Sequence, residues 1–283
     1  MNTEISIKGF ADIPLVDLKN SIEEALNQFY VIVARFTRFN DSSELSILNK
    51  SDGKFVCVAP DLFELVKYGV DLGNKTKGIF DITIIDILEA YGYDKEYNFS
   101  KLDDVLLKQK ITNLVKIRPK FSEIEFNKNN YKIKLQKKQR IDMGAYAKGY
   151  AIRLAKNWLL KSGVDNFFLN AGGDVYAHGY DYTKTNKKSW EAALFDPEKS
   201  LKTGKFETFK TIKIKDEAIA CSGPWARKVK FFHHLINPIT GLPASNNESV
   251  VFVKNKDPMN ADALATIKYL TNEESSILLD AKI

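Results

Sequence analysis

Five β-type runs follow one another between residues 166 and 222, and no helical pattern separates them: "NFFLN", "VYAHG", "WEAALF", "TFKTIKI" and "EAIACS". Parallel neighbours need a crossover of a dozen residues or more, so strands joined this closely pair as hairpins. Helical periodicity is confined to other stretches. Residues 14–36 place Leu15, Leu18, Ile22, Leu26, Phe29, Val33 and Phe36 along one face, which predicts a long amphipathic helix. "AKGYAIRLAKNWLLKSG" predicts a second, closed by Gly163. Helices in separate runs and strands in hairpins make this an α+β chain, a single domain over 1–283 with mainly antiparallel sheets.

The remaining elements fill in around that frame. Residues 3–10 alternate as a strand, and Asp41 with Glu44 resembles a capping box for a short helix. "KFVCV" reads as a strand, Pro60-Asp61 as the opening of a helix to about residue 73, and "SEIEFNKNNYKIKLQ" as a hairpin. "SVVFVK" is a strand, and "NADALATIKYL" a helix that Asn260 would cap. Residues 95–110 are polar and are read as a surface insertion.

Composition excludes several function classes. No run of 18 apolar residues exists, so no transmembrane helix is expected, and the N-terminus has neither the basic nor the apolar segment of a secretory signal. The net charge of +6 comes with only six arginines among 42 basic residues, and the lysines read as scattered. That argues against a nucleic-acid reader. Cys57 and Cys221 stand far apart in apolar contexts and read as small buried residues. With three histidines they do not make a zinc site.

Four segments could carry chemistry, and each also has a plain reading. In "RIDMGAYAKGYAIRLA" the free N–H groups of a helix start attract anions, with Asp142 just before and Lys148 in the first turn. The plain alternative is a strand-to-helix turn. "LNAGGDVYAHG" is a Gly-Gly hairpin turn, or a place where a ligand approaches backbone closely, with Asp174 following. In "FFHHLINPITG" only one of two adjacent histidines can face a given site, and His234 beside a rigid turn is either a base or a structural histidine. Asp262 and Thr266 lie at i and i+4 on one helix face. A first-turn carboxylate explains Asp262 alone, but carboxylate and hydroxyl oxygens together suit a hard cation such as Mg²⁺. No P-loop and no dinucleotide fingerprint is present.

Taken in order, "RFTRFNDSSELSILN", "GIFDIT", "IDMGAYAKGYAIRLA", "LNAGGDVYAHG", "ACSG", "HLINPITGLP" and "ADALAT" resemble the ApbE family of FAD:protein FMN transferases, from about residue 5 to about 270. The resemblance implies transfer of FMN from FAD to a Thr or Ser hydroxyl of an acceptor protein, with release of AMP and a need for Mg²⁺. By position it implies Asp262, Thr266 and the Ala145 carbonyl as metal ligands. It implies Phe39, Ile79, Phe80, Asp81, Asp142, Lys148 and Leu235 as FAD contacts, and His234 as the base. The acceptor would be a redox or electron-transfer protein, and membrane association would need an N-terminal anchor this chain does not show. The family is bacterial and often exported, which places the protein at the cell envelope if a signal was trimmed and in the cytoplasm otherwise. An FAD pyrophosphatase giving FMN and AMP, or a flavin-binding protein without turnover, are the competing readings. Four departures bear on them. Asn237 replaces a frequent Asp beside His234, Tyr146 would narrow the FAD site, Pro224-Trp225 replaces polar residues, and the C-terminal "SSILLDAKI" would shorten or remove an edge strand.

Overall fold

The computed structural model describes residues 3–96, 104–183, 187–227, 232–246 and 249–271. The expected α+β architecture is present. Strand β1 (Ile5–Phe10) leads into α1 (Leu15–Phe36), α2 (Glu44–Asn49), β2 (Phe55–Cys57), α3 (Pro60–Lys75) and α4 (Ile85–Ala90). Helix α5 (Asp104–Ile117), the hairpin β3 (Glu125–Asn127) and β4 (Lys132–Lys134), and α6 (Ala147–Lys161) follow. Then come β5 (Asn166–Ala171), β6 (Asp174–His178), β7 (Trp190–Phe195), α7 (Pro197–Thr203), β8 (Thr208–Ile214), β9 (Glu217–Ser222), β10 (Val251–Asn255) and α8 (Pro258–Thr271).

A five-stranded sheet in the order β1-β5-β6-β9-β10 is antiparallel throughout. Its alternating side chains serve two cores. Phe167, Leu169, Tyr176, Ala218, Ala220 and Val253 join the main core with α1, α3, α6 and α8. Phe168, Val175, Ala177, Ile219 and Phe252 point the other way and are covered by Trp190, Ala192, Leu194 and Ile214 of the two-stranded ribbon β7-β8. Strands β2-β4-β3 form a separate small sheet.

Several local expectations are corrected. Ser43, not Asp41, caps α2: its hydroxyl accepts from Ser46 N at 3.0 Å and donates to Thr37 O at 2.5 Å. Asp41 is drawn out to Lys50 instead, at 2.7 Å. Asp257 caps α8, accepting from Asn260 N at 2.9 Å, because Pro258 opens that helix three residues earlier than expected. Cys57 is exposed because it shares the outward face of β2 with Phe55 while Val56 packs on the core, whereas Cys221 is partly buried. Helix α7, entered through an Asp196 cap and Pro197, was not expected. Its seven residues are too short for periodicity to register. Of residues 95–110, 97–103 lie outside the described residues. From Asp104 the chain is helical, and Leu107 and Ile111 are buried against Ile87, Tyr91 and Ile236. The C-terminal "SSILLDAKI" also lies outside them.

Candidate functional site

The start of α6 is pinned from both sides. The Asn49 amide brackets Ile141, accepting from its N–H at 2.8 Å and donating to its carbonyl at 3.0 Å. Asp142 N donates to Ile82 O at 2.8 Å, tying this segment to "GIFDIT". The Asp142 carboxylate accepts from Gly144 N at 2.6 Å and pairs with Arg38 Nε at 2.9 Å. Gly144 and partly buried Ala145 then stand at the mouth of the helix.

In the first turn, Lys148 is ion-paired to Asp174, with Asp262 Oδ1 3.9 Å from its ammonium. Three distant elements meet here. Asp174 is delivered by the β5-β6 hairpin, whose Gly172 and Gly173 have φ of +63° and +97°, as a tight primed turn requires. The hairpin reading of Gly-Gly therefore holds, and it sets a carboxylate where Lys148 needs one. Asp174 also accepts from Cys221 N at 3.0 Å, and Asp262 accepts from Gly149 N at 2.8 Å. That last contact needs a glycine: a Cβ on residue 149 would lie 2.4 Å from Pro258 O and 2.8 Å from Asp262 Cβ. Both carboxylates are nearly sealed, at 2% and 8% exposure, while Lys148 keeps 23%. An anion reaching the cluster therefore meets the ammonium first.

Two negative charges face one positive charge in this low-dielectric setting. Burial opposes the charged form of Lys148, yet Asp174 and Asp262 outweigh it and hold the amine protonated. Burial raises the Asp262 carboxyl well above the carboxylate range; Lys148 works against that rise and Asp174 adds to it. Burial, then the Asp174 charge, pushes the Cys221 thiol up to about 12, so it stays protonated at neutral pH.

A second group gathers at the loop after β9. His233 turns inward, with Nε2 3.1 Å from Ala244 O and Nδ1 accepting from Leu235 N at 3.3 Å. His234 is the other of the pair. Its Nδ1 is buried without a hydrogen-bond partner among the described residues, and its ring packs edge-on to Tyr93 at 6.3 Å. Burial, then the charges of Arg227 and His233, lowers His234 to about 3. Asn237 Oδ1 accepts from Ile239 N at 2.9 Å and Thr240 N at 3.2 Å. The amide thus performs the turn-capping work that a carboxylate would perform at this position.

Two arginines that sequence reasoning passed over join these groups. Arg118 donates to Asp81 Oδ2 at 2.7 Å, to Thr83 Oγ1 at 2.6 Å and to Pro238 O at 3.1 Å, tying "GIFDIT" to the His234 loop. Arg38 pairs with Asp142 and with Glu89 at 3.1 Å, donates to Tyr93 O at 2.5 Å, and lies over the Phe39 ring at 4.2 Å. Its position inside "RFTRFN" was the available signal; Arg118, before Pro119, offered none. Asp174 carried a faint one, as a carboxylate directly after Gly-Gly.

The other expected residues are placed as follows. Asp81 is buried and committed to Thr83 and Arg118. Phe80 and Leu235 are buried, and Ile79, Phe39 and Thr266 are partly buried. Thr266 stands one turn beyond Asp262 on α8. Tyr146 does not narrow the mouth of α6. It is fully buried, donates to Leu65 O at 3.0 Å, and packs against Tyr68 and Phe80, filling core space beside α3. Among the described residues no three His, Cys, Asp or Glu side chains are grouped to hold a metal ion. No helix among them is long and apolar enough to cross a membrane.

Comparison with known proteins gives this arrangement a context. A FAD:protein FMN transferase from Buchnera aphidicola subsp. Baizongia pistaciae is 27% identical over 265 residues, covering 88% of this chain and 71% of that one. The structure of an ApbE protein from Thermotoga maritima superposes with a TM-score of 0.83 at 24% identity, over 98% of this chain and 90% of that one. That of the flavin transferase ApbE from Vibrio cholerae gives 0.80 at 23% identity, over 97% and 85%. The ApbE family model matches residues 1–281, so the chain belongs to the ApbE family.

Proposed function

We propose that this protein transfers FMN from FAD to a Thr or Ser hydroxyl of an acceptor protein and releases AMP. The observation that carries the reading is the Lys148–Asp174–Asp262 cluster at the open start of α6. The transferase activity of the Buchnera relative supports it. In the step, the acceptor oxygen bonds to the phosphorus on the riboflavin side. The phosphoanhydride bond breaks, and its electron pair leaves with AMP. The hydroxyl proton would pass to the His234 imidazole; burial keeps it neutral but weakly basic in the free protein, and a bound pyrophosphate anion nearby would raise its proton affinity. Lys148, its ammonium fixed in the charged form, receives the pyrophosphate anion, and the N–H groups at the start of α6 add a favourable field.

The donor types would suit Mg²⁺: the Asp262 carboxylate, the Thr266 hydroxyl and the Ala145 carbonyl would offer it hard oxygen atoms, and its charge would favour the ionised form of buried Asp262. When bound, the ion supplies charge neutralisation on the pyrophosphate oxygens. Asn237 and Tyr146 give the non-catalytic reading no support, since one caps a turn and the other fills the core.

The test is incubation with FAD, Mg²⁺ and a candidate acceptor, followed by mass spectrometry of the acceptor. Added FMN on a Thr or Ser is the expected result. Free FMN and AMP with no adduct would assign hydrolysis instead, and unchanged FAD would remove both enzyme readings.

A further inference from the structure

Helix α4 ends in "EAYGY", and its closing turn delivers Tyr93 to His234. Gly92, at φ +92°, reverses the chain, so that Gly92 N donates to Glu89 O at 2.9 Å and Tyr93 N to Leu88 O at 3.0 Å. That pair of bonds is a Schellman closure, which fixes the residue after the glycine. Tyr93 is buried among Tyr91, Leu107, Ile111 and Ile236. Its ring meets the imidazole at 6.3 Å between centroids and 66° between planes, an edge-to-face arrangement. Its hydroxyl donates to Arg227 O at 2.6 Å. The ring is thus held at both ends, by its backbone at the close of α4 and by its hydroxyl on the chain after β9.

A base that activates a hydroxyl is itself oriented by a third group, often a carboxylate on its other nitrogen. His234 has no such group among the described residues, for its Nδ1 is buried without a hydrogen-bond partner. Asn237, three residues on, commits its side-chain oxygen to Ile239 N and Thr240 N. Aromatic contact is what the fold supplies instead. The same tyrosine ties the histidine to the other half of the site. Tyr93 O accepts from Arg38 Nη2 at 2.5 Å, and Arg38 Nε pairs with Asp142 at 2.9 Å, just before α6. The succession Asp142–Arg38–Tyr93–His234 therefore sets how far the imidazole stands from the start of that helix.

We propose that Tyr93 is the positioning residue for His234. Its ring orients the imidazole, and its carbonyl, through Arg38, sets the place of the imidazole relative to α6. This role rests on His234 being the base of the transfer step. Small displacements of a catalytic group are costly, so the loss of the ring should be read in turnover rather than in substrate binding.

Steady-state transfer to a candidate acceptor, with long-range ¹H–¹⁵N spectra of the imidazoles, tests the proposal in Tyr93→Met and Tyr93→Phe. Met fills much of the space without offering a ring. Tyr93→Met should lower kcat roughly 10- to 100-fold, leave KM for FAD nearly unchanged and shift the His234 ring resonances. Tyr93→Phe keeps the ring and should retain most of kcat and the wild-type resonances. Tyr93→Leu, read in the same way, serves should the Met variant not fold. Equal loss of kcat in the Phe and Met variants would overturn the proposal, because the hydroxyl alone would then account for it. So would a rise in KM matching the fall in kcat, which assigns Tyr93 to general packing, or His234 resonances unmoved in Tyr93→Met. Wild-type transfer by His234→Ala would instead remove the base reading, while the resonances of the Tyr93 variants still decide whether the ring orients the imidazole.

Discussion

His234 reaches its neutral state through its surroundings, and that has a pH signature. An unfolded histidine takes up a proton near 6.5, whereas the folded protein delays this to about 3. Between those values the unfolded chain binds the extra proton, so stability falls as pH is lowered through the window, by at most about 1.4 kcal/mol per unit. Above the window the residue contributes no pH dependence. Urea unfolding from pH 7 to 4.5 should therefore show an acid-side loss that His234→Gln reduces. The kcat/KM for FAD transfer, which reports the free protein, should lack an inflection near 6.5 from this group. Thr266 separates two readings of α8. Thr266→Val should leave the unfolding midpoint nearly unchanged and raise the Mg²⁺ concentration needed for half-maximal transfer. An unaltered Mg²⁺ requirement would leave Thr266 an ordinary helix residue.

At the scale of elements, the contact between α6 and α8 is set by Gly149. Gly149→Ala must push the helices apart, because the new methyl would sit 2.4 Å from a backbone carbonyl that cannot rotate away. The expected cost is about 1–3 kcal/mol. Activity should fall further than stability, since Asp262 moves with α8. Arg118 plays the matching part between α5 and the His234 loop. Arg118→Met leaves the buried Asp81 without its ion pair and should cost about 3–5 kcal/mol in urea unfolding. The double variant Arg118→Met with Asp81→Leu should recover much of that. These ties explain what could be read from the chain and what could not. Periodicity revealed α1, α6 and the hairpins because each buries a face with its own repeat. The positions of Asp142, His234 and Asp262 stood out through resemblance of their segments. Arg118, Arg38 and Asp174 act across gaps of 26 to 120 residues, and no local pattern marks such partners. Asp41 and Asn260 were plausible caps by type, but Ser43 and Asp257 occupied the positions that the true helix starts required.

The helical layer and the ribbon both pack on the large sheet, so the fold is expected to unfold as one unit. Ligand binding at the start of α6 should therefore stabilise the complete fold. FAD with Mg²⁺ at about 100 times its dissociation constant should raise unfolding free energy by about 2.7 kcal/mol in a single shifted transition. A shift confined to one phase of a split transition would show that the site belongs to a part that unfolds separately. The hydrogen bond from Gly149 to Asp262 spans 113 residues of sequence. During synthesis at roughly 5–20 residues per second, α6 has left the ribosome on the order of ten seconds before α8 exists to complete the cluster. A nascent chain thus carries Lys148 with its nearest carboxylate from β6 but not the one from α8. On the proposed function, competence to hold the flavin donor would arrive late and all at once, sparing the half-made protein from acting on its substrate.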